Sequence, residues 1–267
     1  VVETYYAILE QRQPKRGAVT PYSRYIEWLD EQDHEQAAAY WKDYLDGYEG
    51  QTVLLKEQPS NQTKGYEKEE HVFRLGKQLT EEIKRTASRH QVTVNTWIQT
   101  AWGLLLQRYN GSQDVVFGTV VSGRPAEISG IESMVGLFIN TIPVRIHGPS
   151  EMTVSQVLKL NQELALASQS YDTYPLYEIQ AQTEQKQQLI NHIMVFENYP
   201  VEKQMEHMKQ GDTALDIINF HMEEHTHYDF TFIVMPAGEI EIRFVYNANV
   251  YDQASVERMQ AHFMQII

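Results

Sequence analysis

His221, Glu223, Glu224, His225 and His227 form the densest group of ionisable side chains in the sequence, within the stretch HMEEHTHYDF. Imidazole and carboxylate both bind divalent metals. The spacing matches no fixed ligand pattern, and a polar loop entering a strand accounts for the same residues, so no metal site is expected. Arg124, in SGRP, stands at the exit of an apolar run. Loops at strand exits are where binding residues gather. Arg124 is therefore either a charge held at a cleft or a guanidinium paired with a carboxylate or a backbone carbonyl. Asn140 lies within VGLFINTIPVRI, residues 135–146. Read as a strand, this stretch puts Phe138, Asn140, Ile142, Val144 and Ile146 on one face. An unpaired amide on an apolar face costs about 1–3 kcal/mol. Asn140 thus either bonds backbone groups where the strand ladder fails or borders a polar channel. Pro143 lacks an N–H, which places the strand at a sheet edge or at a break. The sequence holds no GxSxG elbow, P-loop, GxGxxG or HExxH pattern.

The elements that must carry these residues follow from periodicity. Tyr22, Tyr25, Ile26 and Leu29 fall at helical spacing, and Ala37, Tyr40, Trp41, Tyr44 and Leu45 continue it, up to Gly47. Residues 48–68 read as a loop and 71–75 as a short strand. Thr80, followed by two glutamates, suits a helix start. A helix over about 93–109 has the stripe Val94, Trp97, Ile98, Ala101, Leu105 and Tyr109, in which Trp97 reads as a core residue. The run VVFGTVV (115–121) suits a strand covered on both faces. Thr153 and Asp252 cap two further helices, 192–196 is a strand, and 200–213 is a polar, irregular segment. Two strands flanking Pro236-Ala237-Gly238 read as a hairpin. Strands alternating with helices without strict regularity predict an α/β fold, a mixed β-sheet covered by helices.

The 267 residues carry a formal charge of −14, with 42% hydrophobic residues and no cysteine. Disulfides, zinc–thiolate sites and cysteine nucleophiles are thereby excluded. A nucleic-acid or anionic-membrane surface wants a basic face, so neither partner is expected. No apolar run is long enough to span a membrane, and the opening residues lack a leader pattern. A cytoplasmic location is the expectation, and the acceptor tripeptides at Asn61 and Asn110 are disregarded as glycosylation sites. The opening residues read as the tail of a helix, as if the chain began mid-protein.

The stretches YSRYIEWL (22–29), YWKDYL (40–45), VVSGRPAEISGIESMVGLFINTIPVRI (120–146), YPLYEIQ (174–180) and VFENYP (195–200) occur in this order. In these residues the chain resembles the condensation domains of nonribosomal peptide synthetases, specifically their C-terminal lobe. The family's HHxxxDG motif is missing, since the ten histidines include no adjacent pair. The resemblance implies one lobe of a chloramphenicol acetyltransferase-like two-lobed fold. Residues 1–21 would connect from an N-terminal lobe, and 22–267 would form the C-terminal lobe. It further implies a floor loop at 120–134 and a latch near the 228–246 hairpin. The reaction implied is amide formation between donor and acceptor thioesters on the phosphopantetheine arms of carrier domains. No cofactor would be bound directly. The partners implied are the N-terminal lobe, donor and acceptor peptidyl carrier domains and the adjacent adenylation domain. The catalytic histidine lies outside this chain, so the chain alone is expected to be inactive. Ser122, Gly123, Arg124, Phe138, Asn140 and Thr141 match the family's floor and tunnel region, which favours the channel reading of Asn140. A noncatalytic docking module and an epimerisation-domain relative are the alternatives.

Overall fold

Runs rich in Val, Ile, Phe and Tyr pair into a sheet because branched and aromatic side chains suit a covered, pleated surface. The computed structural model describes residues 2–14, 19–54, 65–148, 151–197 and 226–267. Its strands are β1 (Lys68–Arg74), β2 (Asp114–Val121), β3 (Asn140–His147), β4 (Ile193–Phe196), β5 (Phe230–Pro236) and β6 (Ile240–Asn247). They form one mixed sheet in the order β1-β6-β5-β4-β2-β3. β4 runs parallel to β2 and to β5, and the remaining neighbours are antiparallel. The helices are α1 (Val2–Leu9), α2 (Ser23–Asp30), α3 (His34–Leu45), α4 (Lys77–His90), α5 (Val94–Asn110), α6 (Val154–Ser168), α7 (Leu176–Ala181) and α8 (Gln253–Ile266). The α/β class expected from the sequence is what the chain adopts.

Helix α5 is buried along most of its length and lies against the sheet. Trp102 packs there among Phe230, Phe232, Phe244 and Phe263, all fully buried. Trp97 packs at the margin of this core, as its place on the stripe requires. Thr153 and Asp252 each accept a backbone N–H from the first turn of their helix, the capping pattern expected of them, and Thr93 does the same for α5. The helical spacing over 22–45 resolves into two helices. Asp33 ends the continuity by accepting the Gln36 N–H at 2.9 Å and opening α3. Helix α4 begins at Lys77 and not at Thr80. Thr80 is instead buried inside it, where its hydroxyl accepts the Ile240 N–H at 3.1 Å. β1 begins at Lys68, earlier than its apolar residues indicate, because its first residues are exposed and polar. Residues 135–139 are not strand either, and β3 starts at Asn140.

The expected hairpin is present as β5 and β6, which sit inside the sheet. β5 is also bonded to β4, and β6 to β1. Neither strand has an edge left for another sheet.

β3 is an edge strand, as Pro143 requires. The Arg145 N–H points away from β2 and donates to the Tyr44 hydroxyl at 2.8 Å. Pro143, two residues earlier, has the same orientation, so its missing donor falls on the outer side. The Arg145 guanidinium donates to both carboxylate oxygens of Asp114, at 2.9 and 2.7 Å. Its other terminal nitrogen donates to the carbonyls of Tyr44 and Asp46 at 3.0 and 2.8 Å. One side chain thus ties β3 to β2 and to the end of α3. Burial pushes the Tyr44 phenol well above its usual range.

α5 meets β3 at Gly103, where an added Cβ would lie 2.3 Å from Ile146 Cγ1 and 2.6 Å from its Cβ. Ile146 is itself buried and cannot retreat. Gly103→Ala should therefore destabilise the intact domain by about 1–3 kcal/mol, despite alanine's higher helix propensity. A melting temperature equal to or above the parent's would refute this packing.

His192 lies in the core, where its Nε2 accepts the Trp102 indole N–H at 2.9 Å and its Nδ1 has no protein partner. Burial pushes its pKa down from 6.5 to about 3. Below pH 6.5 the unfolded chain takes up a proton that the folded core refuses until about pH 3. His192 thus contributes stability above pH 6.5 that is lost on acidification, at about 1.4 kcal/mol per pH unit. His192→Gln keeps an acceptor for Trp102 without titrating, and should flatten this slope in urea titrations at pH 7 and pH 5. Parallel slopes in parent and variant would rule the histidine out as the cause.

Candidate functional site

The six residues singled out between 122 and 141 meet at one end of the β2–β3 pair. Register places Val121 opposite Asn140 and Val120 opposite Thr141. The chain therefore leaves β2 at Ser122 and returns at Phe138 beside its own exit. Gly123 makes the closure possible: its φ is +58°, and a Cβ there would lie 1.8 Å from the Phe138 carbonyl oxygen. Ser122 is exposed, and its hydroxyl accepts the Arg124 N–H at 3.5 Å. Thr141 is half-buried beside Asn140.

Of the two readings of Arg124, the carbonyl-pairing one describes its contacts. One guanidinium nitrogen donates to the carbonyls of Ile131 and Met134, the latter at 3.2 Å. The group also lies 3.9 Å over the Phe138 ring, a cation–π contact. Around it Tyr25, Ile131, Met134 and Phe138 make a small core of their own, separate from the core of the sheet. α2 supplies the lid of this cluster. Tyr25 and Tyr22 pack on Phe138 with ring centroids 4.7 and 5.2 Å away, and the Tyr22 hydroxyl donates to the Leu137 carbonyl. With Met134 and Phe138 inward, Val135, Leu137 and Ile139 turn outward and are 87%, 79% and 56% exposed. Three large apolar side chains in a row on one loop form an uncovered apolar rim.

Asn140 has backbone partners. Its side-chain nitrogen donates to the carbonyls of Asp172 and Tyr174, each at 2.8 Å. These lie in the turn between α6 and α7, which α3 holds from another side through Trp41 Nε1 donating to the Tyr171 carbonyl at 3.1 Å. The turn also brings in Asp172, a residue the sequence reading missed. Burial, and then the nearby Glu127 carboxylate, push the Asp172 carboxyl up to about 6. No local pattern announces it, because its contacts are with the distant 122–139 loop and with β3. Burial, more than any neighbouring charge, likewise raises the Tyr25 phenol.

The site presents backbone-anchored polar groups and an apolar rim, with no nucleophile held by a general base. No group of three or more His, Asp or Glu side chains among the described residues could hold a metal ion. Of the histidine-rich stretch, His221, Glu223, Glu224 and His225 lie outside the described residues, as does the 200–213 segment. Asn110 of the second acceptor tripeptide is committed to the Val53 backbone and the Leu106 carbonyl. No helix among the described residues is long and apolar enough to cross a membrane.

The family profile described as Condensation domain matches residues 1–267. The chain belongs to the condensation-domain family. It is 80% identical over 267 residues to one of the subunits of the mycosubtilin synthase of Bacillus subtilis, covering all of this chain and 10% of that protein. It is 42% identical over 266 residues to gramicidin S synthase 2 of Brevibacillus brevis, covering 98% of this chain and 6% of that one. The condensation-domain chain thus spans a tenth or less of these curated relatives. Among solved structures, the first condensation domain of the CDA synthetase aligns with a TM-score of 0.75 at 15% identity, over 99% of this chain and 58% of that one. The X-domain in complex with OxyB from teicoplanin biosynthesis aligns with a TM-score of 0.77 at 18% identity, over 99% and 61%. These two likenesses concern the fold, which is the chloramphenicol acetyltransferase-like fold of condensation domains.

Arg124→Lys tests the loop's internal anchor. Lysine supplies a point charge that cannot serve two carbonyls and lie flat on Phe138 together. Backbone amides of the 131–138 segment should exchange faster, their local opening made easier by about 1–3 kcal/mol. The melting temperature should stay within a few degrees of the parent's, because the cluster stands apart from the main core. Unchanged exchange would show that the loop does not depend on the guanidinium.

Proposed function

We propose that this chain is the C-terminal lobe of a condensation domain within a nonribosomal peptide synthetase, a cytoplasmic enzyme. In this reading the domain joins two thioesters carried on the phosphopantetheine arms of donor and acceptor carrier domains. The acceptor amine attacks the donor thioester carbonyl, an amide bond forms, and the donor's carrier thiol leaves with the proton from the amine. The single observation that carries the reading is the uncovered apolar rim of Val135, Leu137 and Ile139 beside the anchored Arg124 and Asn140. A wall of this kind, completed by an N-terminal lobe, is suited to holding two extended arms end to end. Such positioning supplies much of the rate of a reaction between two bound substrates. Proton handling belongs to a histidine of the N-terminal lobe, since the residues gathered around Arg124 and Asn140 hold no general base. The adjacent adenylation domain supplies the activated acceptor. Ser122, Gly123 and Phe138 shape the floor, and Thr141 follows Asn140 along it.

A second reading, a noncatalytic docking module, is favoured by the fold likeness to the X-domain solved in complex with OxyB. One assay separates the two. The intact domain containing this chain is mixed with donor- and acceptor-loaded carrier domains, and dipeptidyl thioester is sought by mass spectrometry. Product from the intact domain, and none from residues 1–267 alone, is the expected result. Carrier binding without product by the intact domain would establish docking in its place.

A further inference from the structure

The orientation of the Asn140 carboxamide is fixed by chemistry. Both atoms it faces across the turn are backbone carbonyl oxygens, which accept hydrogen bonds and cannot donate them, so its NH2 group must point there. The two carbonyls, of Asp172 and Tyr174, flank Thr173 in the turn between α6 and α7. Their distance along the chain is 32 and 34 residues, so Asn140 fastens the start of β3 to a remote segment. The same turn is fastened to α3 through Trp41 and the Tyr171 carbonyl. Between the two fasteners it carries the half-buried Asp172, whose carboxyl is under the electrostatic influence of Glu127 in the 122–139 loop. Both N–H groups of Asn140 are spent on this clamp, and neither is left over for a substrate.

We infer that Asn140 is a positioning residue for amide formation: it acts by holding the Asp172–Tyr174 turn beside the strand end, not by contacting substrate. This rests on the peptide-bond-forming function proposed above. The rival role is substrate contact through Oδ1, the one polar side-chain atom the clamp leaves unused. Asn140→Asp separates the two, because it keeps the shape and an acceptor oxygen but removes both donors. Asn140→Ala removes everything.

The test uses the intact synthetase module that contains this chain, with loaded donor and acceptor carriers. Both variants should lower the saturated rate of dipeptidyl thioester formation at least tenfold, with little change in the acceptor concentration giving half-maximal rate. Backbone amides of residues 171–178 should exchange at least tenfold faster in both, while those of 142–146 keep the parent's protection. Thr173→Gly loosens the same turn without touching Asn140, and should reproduce the loss of rate. A parental rate in Asn140→Asp, or loss of rate with unchanged exchange over 171–178, would overturn the inference in favour of direct contact. Faster exchange in any of the three with the parental rate would reduce the clamp to a purely structural role. A parent module that yields no dipeptidyl thioester from competent carriers defeats the proposed function itself, and this inference falls with it.

Discussion

The antiparallel pairing of β2 with β3 is the constraint on which the candidate site depends. Its register sets Val121 against Asn140, so the two ends of a long loop become neighbours. A slip of one residue would turn the alternating side chains of β3 to the opposite face and part Asn140 from its turn. The register is pinned at the far end by the two-pronged contact of Arg145 with Asp114. That pair is largely out of water, and the remaining guanidinium donors are satisfied by the last carbonyls of α3. Removing either partner would leave the other charge stranded in a nearly dry place, which is the costly way to break such a pair. The outer side of β3 is closed by the Tyr44 hydroxyl and by a proline that has no donor to offer.

Much of this fold was legible in the residues. A period-3.6 stripe located α5, capping residues marked the starts of α6 and α8, and the apolar run before Ser122 announced a strand covered on both faces. Pro143 narrowed β3 to a sheet edge or a break before any pairing was known, and the edge is what the sheet order shows. The failures have local physical causes. Thr80 looks like a helix cap, but its hydroxyl is used to satisfy β6, a partner far away in the sequence. The alternation over 135–139 imitates a strand because one set of side chains fills a small core and the other faces outward, which a loop packed against a helix can do as well as a strand. At the site, the resemblance singled out Ser122, Gly123, Arg124, Phe138, Asn140 and Thr141, and the β2–β3 register puts them at one end of that strand pair. The partners of Arg124 and Asn140, and the presence of Asp172, were not legible, since each depends on a contact between segments that no spacing rule connects.

Two titratable groups show how burial acts in opposite directions on acids and bases. His192 sits among aromatic rings and is held neutral by the cost of placing a cation there. The Asp172 carboxyl is pushed up by the same cost on an anion, reinforced by Glu127. The first effect lies deep in the main core. The second lies where β3, the 122–139 loop and the turn before α7 converge.

The small core around Tyr25 and Phe138 has a further implication. Because it is separate from the packing that holds the sheet, the two can change at different rates over evolutionary time. Its inner members fix the path of the loop, and the outward positions 135, 137 and 139 sit on that path without supporting it. Replacements there alter what the rim offers to an incoming molecule while the scaffold beneath keeps its stability. Under the function proposed above, such a rim is a place where side chains can be exchanged without disturbing the fold beneath it.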